Sequence, residues 1–419
     1  MPFASKVTSF IDALYTATSA LCVTGLIVKD TALEFTIWGK LVILSLIQIG
    51  GLGYMTLSTT FFFFLGRKIS LRDRLLFKES VNLLTYDNLK QFAWRIFRIT
   101  FVVELIGTII LYFAFVSKFK PLVALGHAMF HSVSAFCNAG FSTFSENLAY
   151  FFSSYSVPIV VAMLIIIGGI GFIVISDIYI VLIRKGKKGL SLHTKIVLRT
   201  TLGLILFGTL FIFLYEGPRS LAGYSIPQKF IHSFFQAVTP RTAGFNTLTI
   251  SLFSPLTIVM IMVLMFIGAS PGGTGGGIKT PTFVLLFGWL KELLQGRYGK
   301  DLSILKKRIP IEQSFRAYAI ASLSMLLISA AFSIIMLIDN PPPMKVLFEV
   351  VSAFGTVGLS LGSNINPNCN FSFDLSWASK LVLIVVMISG KVGLITISSA
   401  LLKPHPLEYS YPEESIIVG

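Results

Sequence analysis

Charge is scarce in this chain. Only 13% of its 419 residues are Asp, Glu, Lys or Arg, against roughly 25% in a soluble globular domain. With 54% hydrophobic residues, it has too little polar surface for a water-soluble fold. Cysteine is rarer still. Cys22, Cys137 and Cys369 stand far apart with no CxxC or Cys/His spacing, which excludes a disulfide framework and a zinc site. The apolar stretches hold no paired carboxylates, no Ser/His/Asp set and no HExxH, so nothing points to a membrane enzyme. A nucleotide-binding domain is also missing. Because apolar runs recur along the whole length, a signal peptide or a single anchor does not account for the composition.

Runs of membrane-spanning length are read at about 38–65, 92–116, 157–183, 197–215, 255–290 (interrupted), 314–338 and 378–402. Between them four stretches align without gaps: "SALCVTG" ending at Gly25, "SAFCNAG" at Gly140, "VTPRTAG" at Gly244 and "SAFGTVG" at Gly358. The final glycines are 115, 104 and 114 residues apart, and an aromatic (Tyr15, Phe130, Phe234, Phe348) lies ten residues before each. Repetition at a near-constant period predicts four copies of one unit. The dozen or so residues before each glycine are semi-polar and too short to cross ~30 Å of hydrocarbon. They predict a pore helix that stops midway and turns back, which is tolerated only where protein or a water-filled path surrounds the bare backbone.

The expected fold is therefore an all-α integral membrane protein: four parallel units of span, pore helix and span (M1-P-M2) around a central pore, as in K+ channels. The units are read as 1–80, 81–190, 191–308 and 309–419, the last with a short C-terminal tail. Unit one begins at its pore helix without a first M1. The expectation is a further span upstream of Met1, with a seven-span form as the alternative. Two crossings per unit put all inter-unit loops on one side. Residues 67–98, 184–199 and 291–316 hold 21 of the 34 Lys and Arg, so that side is cytoplasmic by the positive-inside rule. This topology, and not nucleic-acid binding, explains the net charge of +15.

Glycine accepts φ > 0, so carbonyls preceding it can be turned toward one axis. The candidate filter is Val23-Thr24-Gly25, Asn138-Ala139-Gly140, Thr242-Ala243-Gly244 and Thr356-Val357-Gly358. Four such strands would make a carbonyl ring that replaces a cation's hydration shell, with the negative ends of the pore helices directed at the cavity below. Tight helix packing through small residues is the competing reading; four triplets in register disfavour it.

Glycine quartets recur in the last span of each unit, "GGLG" 50–53, "GGIG" 168–171 and "GKVG" 390–393, and the third unit expands this to "GASPGGTGGG" 268–277. An interior helical glycine costs ~1 kcal/mol relative to alanine and a proline ~3 kcal/mol. The run Gly272-Gly273-Thr274-Gly275-Gly276-Gly277 is therefore expected to break its span into two halves joined by a loop below the filter. A phosphate-loop reading fails because Ile278 separates Gly277 from Lys279. Lys279 and Lys391 cost about 2.5–3.5 kcal/mol each at mid-bilayer. They are expected to face water or the pore axis and, with the loop, to form a closed gate. The alternative is that Lys279 snorkels or binds loop carbonyls. Arg241 is read as a strut behind the filter, directed to a carboxylate such as Glu349. His127, His131 and His232 are assigned core or capping roles, and Asp177 a helix-terminal one.

The stretches "ATSALCVTGL", "LIQIGGLGYMT", "FHSVSAFCNAGFS", "QAVTPRTAGFNTL", "SPGGTGGGIKTPT", "VVSAFGTVGLSLG" and "GKVGLIT" resemble the Trk/Ktr/HKT superfamily of K+ transporters, most of all its bacterial KtrB-type (TrkH-like) membrane subunits. The resemblance runs from Ile11 to Thr396. It implies the translocating subunit of a K+ uptake system, with no enzymatic activity and no cofactor. K+ is the implied substrate, Gly25 implies K+ over Na+, and Na+ is a candidate co-ion. It also implies a homodimer in the bacterial inner membrane, a cytosolic ring of KtrA-type (RCK) nucleotide-binding subunits, and gating by the intramembrane loop. Cys137 departs from the family's frequent asparagine and Lys391 from its usual arginine. An alternating-access symporter for a cation or other solute is the second reading; its usual sign is inverted repeats, whereas these repeats are parallel.

Overall fold

The computed structural model describes residues 4–5, 8–53, 89–182, 189–296 and 302–393. The basic residues at 67–78, 184–188 and 297–300 and the tail after 393 lie outside the described residues. The helices are α1 (Phe10–Leu21), α2 (Ile37–Leu52), α3 (Leu89–Phe115), α4 (Pro121–Phe136), α5 (Ser156–Gly169), α6 (Phe172–Leu182), α7 (Leu192–Glu216), α8 (Ile226–Val238), α9 (Pro255–Phe266), α10 (Thr280–Leu294), α11 (Ile311–Asp339), α12 (Pro343–Gly355) and α13 (Trp377–Val392). A hairpin of β1 (Ser303–Ile304) and β2 (Lys307–Arg308) joins α10 to α11. Its two turn residues, Leu305 and Lys306, have φ of 50° and 62°, as a tight two-residue hairpin turn requires.

Two lengths of helix alternate. α3, α7 and α11 are apolar and have 27, 25 and 29 residues; at ~1.5 Å per residue each exceeds the ~30 Å of a hydrocarbon core. Their outer faces carry Phe113, Leu206 and Leu337, which are 69%, 59% and 86% exposed, apolar surface suited to lipid rather than water. The helices ahead of the four glycines have just 12 to 16 residues, about 18–24 Å. Local signals start them. The Ser9 hydroxyl accepts the Asp12 N–H at 3.2 Å, Ser225 and Gln228 form a reciprocal cap on α8, and prolines stand in the first turn of α4, α8 and α12, where no helical acceptor is available for an N–H.

Among the described residues, buried clusters hold the units together in a ring. Ile43, Ile47, Phe130 and Phe136 join units one and two. Phe115, Val161, Phe235 and Phe245 join two and three. Tyr15, Ile261, Phe348 and Leu383 join three, four and one. The seam between the first and last units is further closed by an ion pair, Lys380 Nζ to Asp12 Oδ1 at 2.9 Å.

The second helices of the units differ from the uninterrupted spans expected. α2 stops at Leu52, α5 and α6 meet at a 92° bend, and α13 stops at Val392. The cause is the last glycine of each quartet: Gly53, Gly171 and Gly393 have φ of 77°, 92° and 93°. Such values lie outside helical space and are favourable only for glycine. The first glycine of each quartet has another task. A methyl group at Gly50, Gly168 or Gly390 would lie 1.9 Å from the carbonyl oxygen of Leu21, Phe136 or Phe354. Each of these second helices thus rests directly on the end of its own pore helix.

Candidate functional site

The four triplets meet. A methyl group added at Gly25 would lie 2.4 Å from the Ala139 oxygen and 3.0 Å from Gly140 Cα; one at Gly140 would lie 2.8 Å from the Ala243 oxygen; one at Gly244, 2.2 Å from the Val357 oxygen; and one at Gly358, 2.2 Å from the Thr24 oxygen. Each glycine thus packs against the next triplet and the last against the first, closing a circle. The four backbones share one shape. Val23, Asn138, Thr242 and Thr356 have φ of 53°, 58°, 72° and 49°, and the glycines two residues later 90°, 70°, 75° and 89°. Positive φ at a β-branched residue such as Val23 or Thr356 is strained, of order 1–3 kcal/mol each, and such strain clusters at functional sites.

The pore helices enforce this shape by taking up the N–H groups. Thr24, Ala139 and Val357 N–H donate to the carbonyls of Ser19, Ser134 and Ser352 at 2.8, 2.8 and 2.9 Å, and Ala243 N–H to that of Thr239 at 3.0 Å. The Ser19 and Ser352 hydroxyls accept the Gly25 and Gly358 N–H groups, both at 3.1 Å. The Ser134 and Thr239 hydroxyls donate to the Phe141 and Phe245 carbonyls just beyond the other two triplets. The carbonyls of Thr24, Ala139, Ala243 and Val357 each face the glycine of an adjoining triplet. All twelve triplet residues are buried. Among the described residues only one of their twelve carbonyls, that of Gly358, accepts a hydrogen bond. Buried carbonyls are ordinarily paired in more than ~90% of cases.

The glycine loop lies against the start of these triplets. Its two ends are joined, with Gly268 N–H to the Ile278 carbonyl at 2.9 Å. Gly276 N–H donates to Thr356 Oγ1 at 2.8 Å, and a methyl on Gly275 would overlap Thr242 Oγ1 at 1.9 Å. The loop also fits the bend of unit two: Thr274 N–H donates to the Gly168 carbonyl at 3.3 Å and Phe172 N–H to that of Gly272 at 2.9 Å. Gly273 N–H donates to the Ser270 carbonyl at 3.1 Å, Ser270 N–H to that of Gly169 at 3.0 Å, and Gly277 N–H to that of Gly390 at 3.3 Å. Lys279 Nζ donates to Gly275 O at 2.6 Å and contacts Gly276 O at 3.4 Å, while Lys391 Nζ donates to Thr274 O. Two ammonium groups thus hold three successive loop carbonyls. The carbonyl-binding alternative for Lys279 is the contact that forms.

Behind the triplets, Asn138 faces Thr242. With its amide oriented to satisfy both ends, the nitrogen donates to the Ile165 and Ala135 carbonyls and the oxygen accepts from Thr242 Oγ1 at 3.0 Å. Arg241 is buried beside Ile165, Gly169 and Val238. Its expected pairing with Glu349 does not form. Glu349 lies nine residues before Gly358, and its Oε1 takes the N–H and hydroxyl of Ser372; Arg241 Nε has no partner among the described residues. The histidines take the polar core roles expected. His127 Nδ1 meets Thr143 Oγ1 at 2.6 Å, His131 Nε2 meets Ser142 Oγ at 3.0 Å, and His232 Nδ1 meets Thr247 Oγ1 at 3.0 Å. Asp177 accepts Ser191 N–H and the Thr194 hydroxyl at the start of α7. Sequence reading passed over Glu104, buried on α3. Its Oε2 accepts from Gln48 Nε2 at 3.2 Å, and Cys137 Sγ lies 3.8 Å from its Oε1, next to the second triplet. A lone acid within an apolar span was the available signal.

Helices of spanning length around a closed circle of buried triplets, with all but one of the twelve triplet carbonyls unpaired among the described residues, point to a membrane transport protein. The chain belongs to the TrkH family, whose model, described as a cation transport protein, matches residues 1–410; this is a family of potassium transporters. The Ktr system potassium uptake protein B of Bacillus subtilis is 37% identical over 99% of this chain and 91% of its own length. The protein of the same name from Vibrio alginolyticus is 37% identical over 98% and 88%. The potassium/sodium uptake protein NtpJ of Enterococcus hirae is 35% identical over 100% and 92%. The crystal structure of the potassium transporter TrkH from Vibrio parahaemolyticus has the same fold, with a TM-score of 0.75 at 20% identity, covering 94% of this chain and 79% of that one.

Proposed function

We propose that the chain is the translocating subunit of a potassium uptake system, and that its four triplets are a selectivity filter for dehydrated K+. The observation that carries this reading is the set of buried, unpaired carbonyls on a closed circle. Such groups require a partner, and a monovalent cation stripped of water supplies one. The repeats divide the chain into four units, 1–80, 81–190, 191–308 and 309–419. Below the filter, loop 272–277 with Lys279 and Lys391 acts as the gate: in the closed form the two ammonium groups occupy carbonyls and place positive charge in the path of K+. Arg241 supports the third strand from behind. The membrane potential drives uptake, about 2.3 kcal/mol per charge for each 100 mV, and Na+ is a co-ion candidate in view of the potassium/sodium name of one relative. The subunit works as a homodimer in the bacterial inner membrane under a cytosolic KtrA-type nucleotide-binding ring; the Ktr-system names of two relatives support a system of more than one component.

The test is Rb+ uptake into proteoliposomes with K+ or Na+ as competitor. K+ should displace Rb+ far better than Na+ does. Gly25→Ala, whose methyl group would meet the Ala139 oxygen at 2.4 Å on a backbone with φ +90°, should lose flux or this preference. Gly203→Ala, which meets nothing within 4 Å, should match wild type. Equal competition by the two ions in wild type, or unchanged preference in Gly25→Ala, would sink the filter reading.

A further inference from the structure

One triplet carbonyl is unlike the rest. Gly358 O accepts a hydrogen bond from Asn370 Nδ2 at 3.2 Å, the long end of the usual range. Asn370 belongs to the connection between α12 and α13. No other triplet carbonyl receives a side-chain donor among the described residues. The backbone of Asn370 is engaged as well: its N–H donates to the Ile27 carbonyl at 3.1 Å, two residues past Gly25. One residue therefore spans the ends of the first and fourth strands.

Its neighbours are held firmly. Phe371 N–H donates to Ser360 Oγ at 2.9 Å, and the Phe371 ring is buried. Ser372 N–H donates to Glu349 Oε1 at 2.9 Å, and the Tyr15 hydroxyl donates to Ser372 Oγ at 2.7 Å, which ties the connection to both adjoining pore helices. On the other side, Ser363 N–H donates to the Cys369 carbonyl at 3.1 Å. The amide is thus presented by a fixed frame and does not hang from a free loop.

We propose that Asn370 is a positioning residue that sets ion selectivity through the Gly358 carbonyl. The inference rests on the filter reading. Discrimination between cations of different radius depends on the number and field strength of the oxygens around them. A donor on one oxygen weakens its field and fixes its direction, so the outer ring offers three unmoderated carbonyls and one moderated, immobile carbonyl. A stronger or more adaptable ring favours the smaller ion. Removing the donor should therefore move preference toward Na+.

The test uses the full chain in proteoliposomes and compares the concentrations of K+ and Na+ that halve Rb+ uptake. Half-saturation and maximal rate are measured separately. Asn370→Leu removes the donor at similar volume. Asn370→Asp keeps the shape but offers only acceptors, and Asn370→Ala removes the donor without adding charge should the leucine variant fail to reach the membrane. Each should lower the K+:Na+ preference by about 2- to 10-fold, the span of one net hydrogen bond. Wild-type preference in all the variants would overturn the proposal, as would a change in Asn370→Asp alone, since added charge and not a lost donor would then be the cause. Gly25→Ala in the same assay separates the two readings. If it alters preference while the Asn370 variants do not, only the present inference falls. If wild type has no preference, the filter reading falls first.

Discussion

Replacing Lys391 by methionine keeps the length of the side chain and removes its charge. The structure identifies what is lost, a charge-assisted hydrogen bond to the Thr274 carbonyl. Bonds of this kind contribute about 1.5–3 kcal/mol. If the bond exists only while the loop lies across the path, its loss lowers the closed-to-open ratio by roughly 10- to 100-fold. Full release is not expected. Lys279 still holds Gly275 O at 2.6 Å, Thr356 still accepts Gly276 N–H at 2.8 Å, and Gly272 O still accepts Phe172 N–H at 2.9 Å. The double variant Lys279→Met/Lys391→Met should release the loop further but not by the sum of two bonds, because both lysines act on adjoining carbonyls. The assay is the initial rate of radioactive Rb+ uptake into K+-loaded proteoliposomes without any regulatory subunit, normalised to protein incorporated. Lys391→Met should transport well above wild type until pore conductance sets the ceiling. A rate equal to wild type in both variants would refute the gate, and the lysines would then be braces for the loop alone.

Glu216, fully buried at the end of α7, accepts Ser254 N–H and the hydroxyls of Ser254, Thr257 and Ser220 at 3.1, 2.6, 2.5 and 2.8 Å. Glu216→Ala should strand these donors, cost about 2–4 kcal/mol, and lower the melting temperature in detergent while leaving the K+:Na+ preference of the remaining folded protein unchanged. Cys369 lies in the connection between α12 and α13, where burial pushes its thiol up to about 11. It should stay protonated at pH 8 and resist N-ethylmaleimide in the native protein, yet react on unfolding in SDS, as intact mass will show.

Much of the site is legible in the residues because the backbone shape leaves little choice. A third position at φ of 70–90° with a neighbouring carbonyl under 3 Å from any added methyl admits glycine only, so four glycines appear in register. Lys279 and Lys391 are visible for a different reason: charge inside an apolar run always requires an explanation. Other features leave weaker traces. A single helical glycine is tolerable, so the interruptions at Gly53, Gly171 and Gly393 do not stand out, and the 92° bend of unit two depends on a carbonyl of Gly272 a hundred residues away. Asn370 is a polar residue in a polar connection, and its importance comes only from what it touches. The Arg241–Glu349 pairing failed because opposite charge says nothing about which end of a pore helix each side chain occupies.

The circle of strands is built from four stretches of one polypeptide that are similar but not identical, with Val, Asn, Thr and Thr at the first place and Thr, Ala, Ala and Val at the second. In an assembly of identical subunits, every codon change is stamped on all sides at once. Here a mutation alters a quarter of the wall and leaves the other three quarters as they were. On the proposed filter reading, ion preference can therefore be adjusted in small steps, and each quadrant is free to acquire its own accessory contacts.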